Sequence, residues 1–264
     1  MSALHGYSDY ETLRLDRSDG VLTLEIDGPT DLNLIDGTLH RELSEVWAEI
    51  RLDELTRAVV FTGHGDRAFC AGGQMEWFQS LTSKDKDRAI AEGRRTIVDM
   101  LEVPQPIVAA INGPAIGLGA TVALFSDVTI ASERAVIADT HVILGMVAGD
   151  GGAIIWPHLL GVNRAKEFLL SGEKIRAGRA LELGLVNQVV AHDVVKSEAH
   201  RLAERYAALP AKAIQGTKQA VNKILRDTVN QVLDTSLAME RMTLESEEHA
   251  ELVRSFTARA VATR

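Results

Sequence analysis

Short apolar segments that end in a glycine turn recur along most of the chain and constrain its fold more than any other feature. Ala58–Thr62 (AVVFT) is followed by Gly63, and Ile107–Ile111 (IVAAI) is followed by Asn112-Gly113. Continuous apolar runs of this length are typical of parallel strands buried on both faces. Stretches with apolar residues at helical spacing, such as Thr38–Ile50, alternate with such strand-like segments. This alternation of strands and helices predicts an α/β fold.

The two ends of the chain carry different patterns. Tyr10–Leu15 and Val21–Ile26 alternate apolar and polar residues around Ser18-Asp19-Gly20, which predicts a β-hairpin. Residues 194–264 instead show only helical spacing. The helices predicted there are Val194–Leu209, a segment opened by Pro210 that runs through Ile214–Leu225, Val229–Leu237 and Glu251–Ala262. We therefore predict a core over residues 1–193 and a C-terminal helical region over 194–264 that mediates oligomerisation.

Composition argues against several classes of protein. The chain has 264 residues, 46% of them hydrophobic, with a net charge of -9 and a pI near 5.4. Such an acidic chain is not expected to bind nucleic acid or anionic membranes nonspecifically. No apolar run approaches the roughly 18 residues of a membrane span. The single cysteine, Cys70, excludes an internal disulfide and fits a cytoplasmic setting.

Two glycine-containing turns follow predicted strands and carry the clearest chemical signal. They are AFCAGGQM, Ala68–Met75, and INGPAIGLGA, Ile111–Ala120. Glycine lets the backbone approach a ligand closely, and two amide N–H groups aimed at one point form an oxyanion hole. Either turn taken alone is more often a matter of tight packing. Neither has the Gly-Lys-Ser/Thr ending of a phosphate loop.

Together with their flanking segments, these turns resemble the crotonase superfamily, also called the enoyl-CoA hydratase/isomerase family. The matching segments cover nearly the whole chain: GPTDLN, AVVFTGHGDRAFCAGGQM, PQPIVAAINGPAIGLGATVALFSDVTIASE, GDGGAIIWPHLLGVNRAKEFLLSGEKI and ALELGLVNQVV. The resemblance implies a crotonase-like spiral of ββα units with a helical C-terminal trimerisation region, assembled as a homotrimer or a dimer of trimers. It implies an oxyanion hole made by the amides of Gly73 and Leu118. It also implies that Ala71, Gly72 and Gly73 contact a coenzyme A thioester, which is a substrate and not a tightly bound cofactor.

The chain departs from a standard hydratase of the family at both catalytic glutamates. The first falls in GLGATVAL, where Thr121 stands, and the second falls in ADTHVILG, where His141 stands. Threonine cannot act as a general base near neutral pH, whereas histidine can. His141 is therefore a candidate for proton transfer. The alternative is a polar residue that closes a loop through backbone hydrogen bonds.

A second resemblance, to the β-diketone hydrolase (6-oxocamphor hydrolase-like) branch of the superfamily, adds further candidates. It implies a catalytic pair of His141 and Asp150. Glu240 in the C-terminal helices and His40 in the first long helix lie close to two more positions of that branch, but Leu118 stands near a position where it has a histidine. Asp150 is equally typical of a helix N-cap, and Glu240 of a solvated helix charge. For His40 we favour a place on the helix surface.

Recognition of CoA phosphates normally recruits cations or backbone amides. Many acyl-CoA enzymes of the family carry Lys or Arg near the end of the first strand and after the first glycine turn. Asp27–Asp31 and Gln74–Glu76 contain neither, although Arg67 or Arg259 could substitute. The remaining histidines show no metal-ligand spacing, so we predict no metal.

The leading hypothesis is an acyl-CoA-processing lyase, isomerase or hydrolase that passes through a thioester enolate. Gly73 and Leu118 would hold the oxyanion, while His141, Asp150 and Glu240 would handle protons. One alternative is a CoA-independent hydrolase that cleaves a C–C bond in a cyclic β-diketone. Another is a catalytically silent binding protein, although the new ionisable residues in the same loops argue against it.

Overall fold

A computed structural model describes residues 6–262, with side chains described over residues 6–258. The strands in this part of the chain are β1 Leu13–Ser18, β2 Val21–Ile26, β3 Ala58–Gly63, β4 Ile107–Ile111, β5 Ala115–Ile116, β6 Val128–Ser132, β7 Val136–Ala138, β8 Ile175–Arg176 and β9 Gln188–Val190. The α-helices are α1 Gly37–Leu52, α2 Met75–Ser80, α3 Ser83–Glu102, α4 Leu118–Leu124, α5 Gly152–Leu160, α6 Val162–Ser171, α7 Ala177–Leu183, α8 Val195–Ala207, α9 Ala211–Leu244 and α10 Glu247–Ala262. The α/β fold predicted from the sequence is confirmed.

The larger sheet has six strands in the order β1-β2-β3-β4-β6-β9. The strands from β2 to β9 pair in parallel, while β1 and β2 form the predicted antiparallel hairpin. Its turn residues Asp19 and Gly20 both have positive φ angles, 50° and 79°. Tight hairpins need that conformation, and Asp-Gly adopts it readily. Strands β3 and β4 are buried along their whole length, as their apolar sequences predict.

A smaller sheet has the strand order β5-β7-β8, and its first two strands follow strands of the larger sheet along the chain. The chain passes from β4 to β5 and from β6 to β7. Cys70, which follows β3, joins the same layer through a parallel bridge to Ala115. Successive turns of the chain therefore stack on one another, so that the loops after β3, β4 and β7 come to lie side by side.

Helices cover both faces of the larger sheet. Phe61 of β3 packs in the main core, where its ring centroid lies 5.2 Å from that of Trp47 and 5.1 Å from that of Phe69. Val60, the neighbouring residue, faces the other way and packs with Val195 of α8 in a second cluster. Neighbouring side chains of a strand point to opposite faces. The continuous apolar sequence of β3 thus serves two cores.

The C-terminal region differs from its prediction in one respect. Two separate helices were expected around Ile214–Leu225 and Val229–Leu237, but α9 is a single helix of 34 residues. No proline interrupts it, and the glycine at Gly216 has open space around it. The helix lies against α3 and α5 and carries Glu240 in its last turns. No helix within residues 6–262 has the length and apolar character needed to cross a membrane.

Candidate active site

A cavity of about 70 Å³ lies between the two glycine turns, α3 and the last turns of α9. Its apolar lining includes Trp77, Phe78, Leu81, Ile90, Leu237 and Leu244. Its ionisable lining is formed by His40, His141, Asp150 and Glu240. A largely apolar cavity with a few convergent polar groups is the usual form of a small-molecule site.

The two glycine turns present two backbone amides to this cavity. A hydrogen bond of 2.9 Å from the Ile116 amide to the Cys70 carbonyl oxygen holds the turns side by side. Gly73 and Leu118 both line the cavity, and the hydrogen bonds found among residues 6–262 leave their amides unpaired. Two free donors that face one space can hold an oxygen on which negative charge develops.

Close packing explains why glycine stands at position 73. A Cβ atom on Gly73 would overlap the aromatic ring of Phe78. Gly72 and Gly117, which precede the two unpaired amides, have positive φ angles of 94° and 57°. Glycine adopts such angles without the steric cost that a side chain brings. The glycines therefore fix both the direction of the amides and their access to a ligand.

His141 is buried, and each of its ring nitrogens faces a carboxylate. Its Nδ1 lies 2.7 Å from Oδ1 of Asp139, and its Nε2 lies 3.3 Å from Oδ2 of Asp150. The ring also lies close to Gly117, the residue before Leu118. The sequence predicted His141 and Asp150 but missed Asp139. The only local signal for Asp139 was its position two residues before His141.

Asp150 is not the N-cap of the following helix. That position belongs to Gly151, which has a φ angle of 108°, and α5 begins at Gly152 without a side-chain cap. The Asp150 side chain is buried and turns toward His141 instead. Its other oxygen, Oδ1, has no hydrogen-bond partner among the described residues. The observed position of Asp150 is thus that of a partner for His141 and not that of a helix cap.

Glu240 is buried as well, and a solvated helix charge is therefore the wrong description. Burial, followed by the charge of Asp150, raises the pKa of Glu240 well above its usual 4.5. Burial by itself would lower the pKa of His141. The charges of Asp150 and Asp139 outweigh burial and raise that pKa well above its usual 6.5. Both directions favour the protonated forms of His141 and Glu240.

His141, Asp150 and Glu240 are also residue types that bind metals, and one ligand atom of each lies within 4.8 Å of the others. The prediction of no metal rested on the spacing of other histidines and did not consider this group. Both nitrogens of His141 already face carboxylates in the structure, so proton exchange within the cluster accounts for its contacts. We therefore treat the group as a proton-handling site.

His40 does not lie on the helix surface, and that expectation is wrong. It is buried at the contact between α1 and α3, where its Nδ1 lies 2.7 Å from Oε2 of Glu92. Its ring packs against Trp77 with centroids 5.1 Å apart, and it lines the cavity. The helical spacing of α1 could not show this, because α3 covers a polar as well as an apolar part of the helix.

Three other residues considered from the sequence lie away from the cavity lining. Thr121 is buried in α4, and its methyl group faces Gly151. Ala71 donates its amide to the Leu32 carbonyl oxygen. Arg67 is exposed and pairs with Asp31 at 3.1 Å. The side chain of Arg259 lies outside the described residues.

Comparison with known proteins supports the assignment that the site suggests. The family model for enoyl-CoA hydratase/isomerase matches residues 16–261, nearly the whole chain. The chain belongs to the enoyl-CoA hydratase/isomerase family. The resemblance to the crotonase superfamily is thereby confirmed, and with it the crotonase-type fold.

Individual members of the family show how broad the similarity is. The 1,2-epoxyphenylacetyl-CoA isomerase of Escherichia coli is 30% identical over 250 residues, which cover 91% of this chain and 93% of that protein. An enoyl-CoA hydratase/isomerase from Mycobacterium paratuberculosis superposes with a TM-score of 0.90 at 35% identity, over 94% of this chain and 100% of that one. A β-diketone hydrolase from the cyanobacterium Anabaena, bound to (S)-3-oxocyclohexyl acetic acid, superposes with a TM-score of 0.84 at 29% identity. That match covers 92% of this chain and 98% of the hydrolase.

Proposed function

We propose that this enzyme uses water to cleave the bond between the ketone carbon and the α-carbon of a β-ketoacyl-CoA thioester. One observation carries the proposal: two unpaired amides share a cavity with the cluster of His141, Asp150 and Glu240. The amides suit an enolate oxygen. The cluster suits the proton transfers that accompany attack by water.

In this reaction the amides of Gly73 and Leu118 hold the thioester oxygen. Water adds to the carbon of the ketone, and the bond from that carbon to the α-carbon breaks. The bonding electron pair moves to the α-carbon and forms the thioester enolate, whose oxygen stays in the oxyanion hole. Protonation of the α-carbon then gives a shortened acyl-CoA, and the attacked carbon leaves as a carboxylic acid.

We assign the roles from the directions in which the pKa values of His141 and Glu240 are shifted. The Asp150 carboxylate accepts a proton from the attacking water, and protonated Glu240 donates a hydrogen bond to the ketone oxygen as it becomes negative. The imidazolium of His141 gives its Nε2 proton to the α-carbon. Transfer of a proton from Asp150 back to His141, across 3.3 Å, restores the starting state. His141, expected from the sequence as a base, thus acts as the acid.

A CoA thioester is the preferred substrate because the family supports it. The Escherichia coli relative is named as an isomerase of a CoA thioester. A free β-diketone is a second candidate, and a separate observation favours it. His40, His141, Asp150 and Glu240 stand at four of the positions suggested by the β-diketone hydrolase branch, and all four line the same cavity.

Product analysis in water labelled with oxygen-18 tests the proposal. With acetoacetyl-CoA, the smallest β-ketoacyl thioester, we expect acetyl-CoA and acetate that carries one solvent oxygen. With pentane-2,4-dione, the second candidate predicts acetone and labelled acetate. Hydration of crotonyl-CoA should be slow, because the hydratase glutamates are replaced and loss of a general acid–base group costs about 10²–10⁴-fold. Release of free CoA and acetoacetate, or rapid hydration without C–C cleavage, would contradict both candidates.

A further inference from the structure

Asp139 is a buried carboxylate that takes no part in the reaction just described. Its Oδ1 lies 2.7 Å from Nδ1 of His141 and also accepts the backbone amide of the same residue at 3.2 Å. Its Oδ2 is buried without a hydrogen-bond partner among the described residues. It lies so close to Gly152 that a Cβ atom there would overlap it.

We infer that Asp139 is a positioning residue for His141. By accepting the Nδ1–H it fixes the ring, so that the Nε2–H is directed toward Asp150 and the cavity. The inference rests on the proposed role of His141 as the acid. It concerns the proton and orientation of one ring, however, and these can be measured without any substrate.

A purely structural role does not require a charge at this position. Asparagine could accept the backbone amide of His141 through its own Oδ1 and would hold the loop in the same conformation. A carboxylate buried near Asp150 adds like-charge repulsion and a desolvation cost. The position of Asp139 against Gly152, the first residue of α5, offsets part of that cost because a helix N-terminus attracts negative charge. The charge of Asp139 is therefore best explained by what it does to His141.

The surroundings of His141 show which groups compete with Asp139. Asp139 precedes the 3-10 turn His141–Leu144, Asp150 precedes α5, and Glu240 comes from α9. The turn before α4 contributes backbone at Gly117. On another wall of the cavity, His40 is paired with Glu92. Asp139 is the carboxylate that holds Nδ1, so its effect can be separated from that of Asp150 on Nε2.

Nitrogen-15 NMR of the His141 ring tests the inference in wild type and Asp139→Asn. Removal of the negative charge favours the neutral ring, so the midpoint of the His141 titration should move down by roughly 1–3 pH units. The acid must be protonated to act, so activity falls as pH rises through that midpoint. This high-pH limb should move down by the same amount in Asp139→Asn. Asp139→Glu keeps the charge, so its midpoint should lie closer to that of the wild type.

Asp53→Asn provides a matched control. It removes a partly buried carboxylate that binds Tyr7 and Arg17 at the C-terminal end of α1. We expect it to lower the melting temperature and to leave the His141 titration unchanged. If Asp139→Asn also changes only the melting temperature, the inference is wrong. If the titration shifts but no β-dicarbonyl compound is cleaved, the positioning role stands and the proposed reaction fails.

Discussion

His141 and Asp150 are both buried, and a change in either side chain alters the surroundings of the other. Their side chains meet at 3.3 Å, and Asp139 and Glu240 enclose the pair. Removing the imidazole entirely would leave carboxylates buried without their partner, a change that costs about 3–5 kcal/mol. Substitutions that keep shape and hydrogen bonding are therefore the informative ones.

We predict that His141→Gln, Asp150→Asn and the double variant lose similar activity, each by about 10²–10⁴-fold. The reason is that one residue accepts the proton and the other supplies it, so loss of either stops the same cycle. Steady-state rates with the substrate found by product analysis measure this, with thermal melting as a check on folding. Losses that multiply in the double variant would mean independent roles.

At the scale of elements, the glycine turns decide where the site lies, and the sequence predicted them well. The strands before them are short apolar runs, and their glycines mark turns by local conformation alone. Asp139 and His40 could not be placed in the same way. Their places in the site depend on contacts with His141 and Glu92, which the fold brings together across loops and between α1 and α3. The sequence also failed to show that α9 is one long helix. Without a cap or a proline, a helical pattern does not show where one helix ends and the next begins.

The first glycine turn gives a test of the oxyanion hole. In Gly73→Ala the new methyl group overlaps the Phe78 ring, so either that ring or the backbone with its amide must shift. We expect a loss of about 10²–10³-fold in activity, the usual cost of one oxyanion donor. Gly178→Ala, in α7 with nothing within 4 Å of the added carbon, is the matched control and should keep full activity. Full activity in a Gly73→Ala protein whose crystal structure shows the amide displaced would eliminate the proposed donor.

At the scale of the whole molecule, the C-terminal helices expose apolar side chains that a single chain does not cover. Val221 and Ile224 of α9 are 64% and 66% exposed. Val221 also lines an apolar groove between α9 and the core, together with Leu209 and Ile214. Adjacent exposed apolar side chains of this kind mark interaction surfaces. They fit association through the C-terminal region, and the trimer or dimer of trimers stays a prediction.

Sedimentation velocity tests the assembly. We predict a trimer or hexamer for the wild type at micromolar concentration and a shift toward smaller species in Ile224→Lys, because a buried lysine charge disfavours the interface. Leu52→Lys is the control, since Leu52 is 74% exposed on α1, outside the C-terminal region. A compact wild-type monomer would refute the prediction.

The most direct test of the proposed function is a crystal structure of Asp150→Asn with acetoacetyl-CoA. The account predicts that the thioester oxygen lies about 2.7–3.1 Å from the amide nitrogens of Gly73 and Leu118. It also predicts that the ketone carbon faces the end of the cavity where His141 and Glu240 meet. A thioester oxygen outside the two amides, or a ketone turned away from His141, would contradict the account.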